Sequence, residues 1–265
     1  MNGITDRWAA GSTYEGFMGR WSRRLAAEFL DWLQVPAAVH WLDVGCGTGA
    51  LTAAICERAR PASVVGCDPA EAFIEYARAQ HSDDRCAFVT GGVGALPSRS
   101  GGYGSVTSSL ALNFFPDLDA AVTEMHGLIG PGGTLSASVW DYSGRMDFLR
   151  HFWDAVASLD PEARELDEGV RFPVCRPEAL TGLFGRAGLR DVRCAPIEVA
   201  TEFASFHDYW RPFLGGTGPA PSYVASLDPE RRKALASLLG RNLPRQPDGT
   251  IALVARAWAV RGSAA

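Results

Sequence analysis

The stretch Trp41-Leu42-Asp43-Val44-Gly45-Cys46-Gly47-Thr48-Gly49-Ala50-Leu51 constrains this chain more than any other. An apolar run carries an acid near its end, glycines then alternate with small residues, and a helical pattern follows. That order predicts a strand, a tight turn and a helix start. Glycine lacks Cβ, so backbone there can turn sharply and lie against a ligand. The first turn of the next helix offers N–H groups without intrahelical partners. The stretch therefore reads as a cradle, and the question is what it holds.

Gly45-x-Gly47-x-x-Ala50 fits a dinucleotide fingerprint loosely, with Asp68 about 20 residues on as a ribose acid. Asp43 weighs against a nicotinamide oxidoreductase, because a carboxylate just before the first glycine repels a pyrophosphate. The same carboxylate suits a ligand with an ammonium and a sulfonium and no phosphate, as in S-adenosylmethionine. Asp-Val-Gly-Cys-Gly-Thr-Gly resembles motif I of the class I S-adenosylmethionine-dependent methyltransferases, in particular the bacterial type 11 or ubiquinone-biosynthesis-like subgroup.

Other segments carry the same resemblance. Residues 13 to 34 predict a helix, with Phe17, Trp21, Leu25, Phe29 and Leu33 forming one stripe. Its front, Tyr14-x-x-x-Met18-Gly19-Arg20-Trp21-Ser22, resembles the opening of a bacterial methyltransferase subgroup. The resemblance implies that Tyr14 and Met18 fold over the cofactor and that Arg20 pairs with its methionine carboxylate; a capping helix with a solvated Arg20 is the alternative. After a helix over 50 to 58, an apolar strand over 63 to 67 ends at Asp68-Pro69. An acid at that strand end can accept hydrogen bonds from both ribose hydroxyls, and it can also cap the helix over 70 to 80. The next strand, 86 to 90, leads into Gly91-Gly92-Val93-Gly94-Ala95-Leu96-Pro97. The family usually carries Gly-Asp-Ala-x-x-Leu-Pro here, its acid bonding the adenine amino group. Gly92 stands where that acid belongs, leaving backbone of Gly92 and Val93 for the base.

Ser105 to Leu110 predicts a strand, followed by Asn113-Phe114-Phe115-Pro116-Asp117. The segment resembles motif IV, which implies that Ser109 and Leu110 face the methionine end of the cofactor and that Asn113 lines the transfer site. Asp117 predicts an N-cap for a helix running to Ile129. Pro131-Gly132-Gly133 predicts the turn before a strand over 134 to 140, ending at Trp140. Beyond it, helices are expected over 146 to 159, 176 to 187 and 228 to 239, and strands over 189 to 200 and 251 to 260. Residues 141–175 and 201–248 are rich in aromatic residues, including Tyr209 and Trp210, as the linings of small-molecule pockets are.

The resemblance implies an α/β fold: a Rossmann-like, seven-stranded, mostly parallel sheet with helices on both faces, an antiparallel final hairpin and helical lid insertions. Residues 1–265 then form a single methyltransferase domain, with an N-terminal helical cap over 1–37, a cofactor-binding core over 38–140 and substrate lids over 141–175 and 201–248. The implied reaction is direct displacement of a methyl group from S-adenosylmethionine onto a small molecule, leaving S-adenosylhomocysteine. A non-methylating use of the same fold, as a cyclase or a binding module, is the alternative. Displacement works largely by alignment, which supplies roughly 7–11 kcal/mol in favourable cases. A poor nucleophile also needs a base, for which His151, His207 and Tyr14 are candidates and Asp141 and Tyr209 weaker ones. His40, His81 and His126 read as bystanders.

A net charge of −5 disfavours a general nucleic-acid binder, and 47% hydrophobic content suits a globular core. The 6 cysteines show no Cys-x-x-Cys, so neither a disulfide framework nor a metal site is expected. Met1 to Trp8 has no apolar h-region, and no run of about 18 apolar residues occurs. These features predict a cytoplasmic protein without membrane or nucleic-acid partners, a monomer or a homodimer.

Overall fold

The computed structural model of the chain describes residues 18–215 and 218–264. Seven strands form one sheet in the order β3-β2-β1-β4-β5-β7-β6. They are β1 (His40–Val44), β2 (Ser63–Asp68), β3 (Cys86–Thr90), β4 (Tyr103–Ser109), β5 (Ile129–Trp140), β6 (Arg190–Phe203) and β7 (Ile251–Ser263). β1 pairs in parallel with β2 and β4, β2 with β3, and β4 with β5. The order reverses direction at β1 and β4, and the carboxyl ends of these strands flank the crevice where open α/β sheets bind ligands.

The chain forms two compact units. The sheet unit comprises Gly19–Val139, Val174–Ile197 and Ala257–Ala265. Its first helix, α1 (Arg20–Leu33), buries Trp21, Leu25, Phe29 and Leu33, the stripe its four-residue spacing predicts. The expected turns 13 to 17 lie outside the described residues. α2 (Ala50–Arg58) and α3 (Glu71–Gln80) follow β1 and β2, and α3 packs Ile74 and Ala77 against Phe88 of β3 and Cys46. Asp117 caps α4 (Leu118–Gly127) by accepting from the Ala120 N–H, as expected. α4 ends two residues early, because β5 begins at Ile129 and takes Pro131-Gly132-Gly133 into an irregular strand opening. Gly102 and Gly130 meet there so closely that a Cβ on Gly102 would lie 2.4 Å from the Gly130 nitrogen.

The insertion unit comprises Met18 with residues 140–173 and 198–256. Its helices are α5 (Asp147–Leu159), α6 (Glu168–Arg171), α8 (Phe206–Trp210), α9 (Pro219–Ser226) and α10 (Pro229–Asn242); α7 (Pro177–Arg186) belongs to the sheet unit. Phe148 and Phe152 of α5 meet Phe203, Tyr209 and Phe213 at ring-centroid distances of 4.5–5.5 Å. These aromatic residues are almost wholly buried and make a core of their own. Asp141 accepts from the Gly144 and Arg145 N–H groups and from the Arg256 guanidinium, so this weaker base candidate serves instead as the tie of a strand end.

One expectation is corrected. Cys56, at the end of α2, and Cys86, at the start of β3, form a disulfide. Asp83 brings a carboxylate oxygen within 4.8 Å of both sulfurs, a cluster that linear spacing does not show. Asp83 is itself held by Arg85 at 2.6 Å. The cysteines lie 30 residues apart, and only the parallel layering of helix and strand brings them together. Among the described residues, no helix is long and apolar enough to cross a membrane.

Candidate cofactor-binding site

At the end of β1 the chain turns through Gly45, Gly47 and Gly49, all with positive φ. Gly45 must be glycine on two counts. Its φ is +74°, and a Cβ there would sit 2.4 Å from the Ala111 Cβ in the segment after β4. This close approach brings the first glycine loop against the motif IV segment. Gly47 also has a left-handed φ, with nothing within 4 Å of the place a Cβ would take, so the loop presents open backbone there.

The β2 tip fastens the loop. The N–H groups of Gly45 and Cys46 donate to the Cys67 carbonyl at 2.8 and 3.0 Å. Asp68 accepts from the Gly47 N–H at 3.0 Å and from the Ala70 N–H at 2.9 Å. Asp68 is not the cap of α3, because Ala70 holds the N-cap position without a side-chain cap; its carboxylate closes the turn before the helix and makes a loop contact the sequence does not reveal. Pro69 beside it is exposed.

Asp43 is 1% exposed. Thr52 of α2 donates its hydroxyl to Oδ2 at 2.7 Å. Oδ1 is buried and has no hydrogen-bond partner among the described residues. Burial pushes the Asp43 carboxyl up to about 7, opposed by the Thr52 hydroxyl and aided by the neighbouring Asp68. Burial also raises Asp68, against the N–H groups of Ala70 and Gly47. Burial drives the Cys46 thiol well above its usual range, so it is no nucleophile. A buried acceptor without a donor, beside a second carboxyl and an open glycine turn, fits a ligand that brings positive charge. These residues therefore suit S-adenosylmethionine.

Gly92 and Val93 follow β3 and are half-buried. The Gly91 N–H donates to the Asp68 carbonyl at 3.0 Å, which ties this loop to the β2 tip. Glu124 of α4 accepts from the Gly94 N–H at 2.6 Å and the Leu96 N–H at 3.1 Å. Across the sheet, the Ser109 and Ser138 hydroxyls bond at 2.8 Å. Leu110 turns with φ +60°, its N–H donating to the Ser138 carbonyl at 2.7 Å. Asn113 then falls in a 3₁₀ turn, 7% exposed, and neither its Oδ1 nor its Nδ2 has a partner among the described residues.

The structure thus brings Asp43, Gly45, Cys46, Gly47, Asp68, Gly92 and Val93 together through Asp68, and joins Leu110 and Asn113 to them through the Gly45–Ala111 contact. Tyr14 lies outside the described residues. Met18 is buried, and the Arg20 guanidinium stacks 4.3 Å from the centre of the Trp21 ring. Trp140 is buried at the end of β5. In the insertion unit, His151 and Trp210 are half-buried and His207 is exposed. Tyr209 is corrected: it is 0% exposed, with its hydroxyl donated to the Phe148 carbonyl at 2.8 Å, so it is a core residue and not a lining one. An aromatic run reads alike in sequence whether it lines a cavity or fills a core.

Sequence reasoning missed Thr52, Ala111 and Glu124. Thr52, on the helix just after the glycine turn, could have been found from its position facing Asp43. Glu124 lies 28 residues from Leu96 and leaves no local signal.

A family model described as a methyltransferase domain matches residues 42–133. A 2-phytyl-1,4-naphtoquinone methyltransferase of Thermosynechococcus vestitus is 35% identical over 63% of this chain and 80% of its own length. A trans-aconitate 2-methyltransferase of Methylobacterium radiotolerans is 29% identical over 85% of this chain and 87% of its own. Among solved structures, the Haemonchus contortus phosphoethanolamine N-methyltransferase 2 in complex with S-adenosyl-L-methionine superposes with a TM-score of 0.59 at 13% identity, over 96% of this chain and 56% of that one. At that identity the likeness is one of fold.

Proposed function

The chain belongs to the class I S-adenosylmethionine-dependent methyltransferases, and within that family we propose that its acceptor is a small conjugated carbonyl or carboxylate compound recognised by Asn113. The chain catalyses methyl transfer to a small-molecule acceptor. When bound, S-adenosylmethionine supplies a methyl group already activated on a sulfonium. In this reading Asp43 and the Gly45–Gly47 turn hold the methionine end, aided by Ser109 and Leu110, with Arg20 pairing with its carboxylate. Asp68 accepts from the ribose hydroxyls, and Pro69 and the Gly92–Val93 backbone meet the purine.

The acceptor reading rests on one observation: the buried Asn113 amide with both polar atoms unpartnered. Such a group offers a donor and an acceptor side by side, and leaving it unsatisfied costs about 1–3 kcal/mol. A carbonyl, carboxyl or enol oxygen on the acceptor satisfies it. The quinone and aconitate named for the two relatives are compounds of this kind. The relatives' activities favour transfer over a cyclase or binding role. We further read the protein as cytoplasmic, a monomer or homodimer, and without nucleic-acid partners.

The test is a panel of quinols, unsaturated carboxylic acids, amines and tRNA, with S-adenosylhomocysteine release as the readout. Turnover confined to the first two classes is expected, with Asn113→Ala raising KM for the acceptor at least tenfold and leaving cofactor affinity unchanged. Turnover confined to amines or tRNA, or an unaffected N113A enzyme, would sink the acceptor reading.

A further inference from the structure

Residues 91–97, Gly-Gly-Val-Gly-Ala-Leu-Pro, contain no side chain able to form a hydrogen bond. Most of the loop's N–H groups are engaged inside the protein. That of Gly91 meets the Asp68 carbonyl and that of Ala95 the Gly92 carbonyl, both at 3.0 Å. Those of Gly94 and Leu96 meet Glu124, so the carboxylate that reaches the loop is engaged by its backbone. The N–H groups of Gly92 and Val93 form no hydrogen bond among the described residues and stay available as donors.

Nor is Gly92 demanded by crowding or by backbone. A Cβ built on it would meet only the Pro69 ring, at 3.5–3.8 Å, which is ordinary contact, and its φ lies outside the left-handed region. A side chain fits at this position and the chain has none. The loop therefore shows a base two donors and no side-chain acceptor. Purine ring nitrogens are acceptors and suit those donors. The 6-amino group of adenine is a donor and finds no side-chain partner in the loop.

We propose that this chain reads the ring nitrogens of its cofactor's purine and does not read the 6-amino group. The inference rests on the placement of the purine at Gly92 and Val93 given above. It has two consequences. A cofactor with plain purine in place of adenine binds as well as the parent. One with hypoxanthine, whose N1 carries a proton, sets donor against donor and binds less well.

Titration calorimetry on the intact chain tests this with S-adenosylhomocysteine, its 6-deamino purine counterpart and its hypoxanthine counterpart. The first two are expected to agree within about threefold and the third to be about tenfold weaker, the scale of one unmade hydrogen bond. Gly92→Asp supplies an acceptor where the Cβ has room, and should make the purine counterpart about tenfold weaker than S-adenosylhomocysteine. Gly92→Ala should keep the native ratio, and Gly92→Asn replaces the aspartate variant if that one fails to fold. A native preference of tenfold or more for adenine over purine would overturn the proposal. So would equal binding of the hypoxanthine compound, or an acceptor variant that gains no preference. Failure of S-adenosylhomocysteine itself to bind would instead remove the cofactor site on which the inference rests.

Discussion

Each unit of the molecule buries one carboxyl that burial pushes up to about 7: Asp43 in the sheet unit and Glu168 in the insertion unit. Their surroundings differ. Glu168, 3% exposed, accepts from the Trp153 indole N–H beside a core of stacked aromatic residues, and Asp167 before it caps α6. Asp43 has a threonine hydroxyl on one oxygen, nothing among the described residues on the other, and a glycine turn with open backbone beside it. A buried acid held by an indole serves the fold. A buried acid left with a free acceptor beside positive-φ glycines is set up for a ligand. Burial and raised proton affinity are common to both, so neither identifies a site; what separates Asp43 is the unsatisfied atom beside an open glycine turn.

The largest effect that probes this contrast is expected in the aromatic core. Phe213→Ala should cost about 3–5 kcal/mol in urea unfolding, because it empties a fully buried site among the rings of Phe148, Phe152, Tyr209 and Trp210. S-adenosylhomocysteine affinity of the folded fraction should not change; a matching loss of affinity would erase the distinction between the units. Gly45→Ala comes next, at about 2 kcal/mol of stability, since the new methyl adds a contact with Ala111 to an unfavourable φ. It should also weaken cofactor binding, and an unchanged melting temperature would show that the loop shifts freely.

Asp43→Asn removes charge with little change of shape. Cofactor affinity should fall by about 1.5–3 kcal/mol, the scale of a hydrogen bond to a charged group, while Glu168→Gln leaves it alone. Calorimetry on both variants checks the pair, and equal losses would mean that the free oxygen has no special part. Asp68→Ala should lose about 1–3 kcal/mol of affinity by the same measurement.

The smallest effect is the pH profile. Both folded carboxyls titrate near 7, above the value of about 4 for an unfolded chain. The native state therefore binds protons that the unfolded state has released, and the contribution of each group to stability declines as pH rises from about 4 to 7. It is fully present below about 4 and lost above 7. Cofactor affinity should move the other way, rising toward pH 8 as Asp43 ionises, and D43N should flatten that rise. A profile unaltered in D43N would assign it to another group.

The parts of the site legible in sequence are those written in consecutive residues. Asp43, the glycine turn and Asp68 follow from a strand, a turn and a helix in series, and the Asp117 cap from a single local contact. The seven-stranded sheet followed only from the family resemblance, and its strand order from the structure. What was not legible depends on partners brought together by layering. Glu124 reaches Gly94 across 30 residues, and Cys56 reaches Cys86 across the same interval. The Pro131-Gly132-Gly133 turn was misread as lying outside β5, because pairing with β4 carries the strand through it. Tyr209 was misplaced because hydrophobic patterning reports burial and not what does the burying.

Glu124 holds the loop after β3 through two backbone contacts, at Gly94 and Leu96, whereas a side chain at residue 92 would meet Pro69. With the purine placed as proposed, scaffolding and discrimination sit on different residues. A loop built this way can be re-tuned without being rebuilt, which makes the enzyme a starting point for labelling with methyl donors enlarged at the purine 6-position.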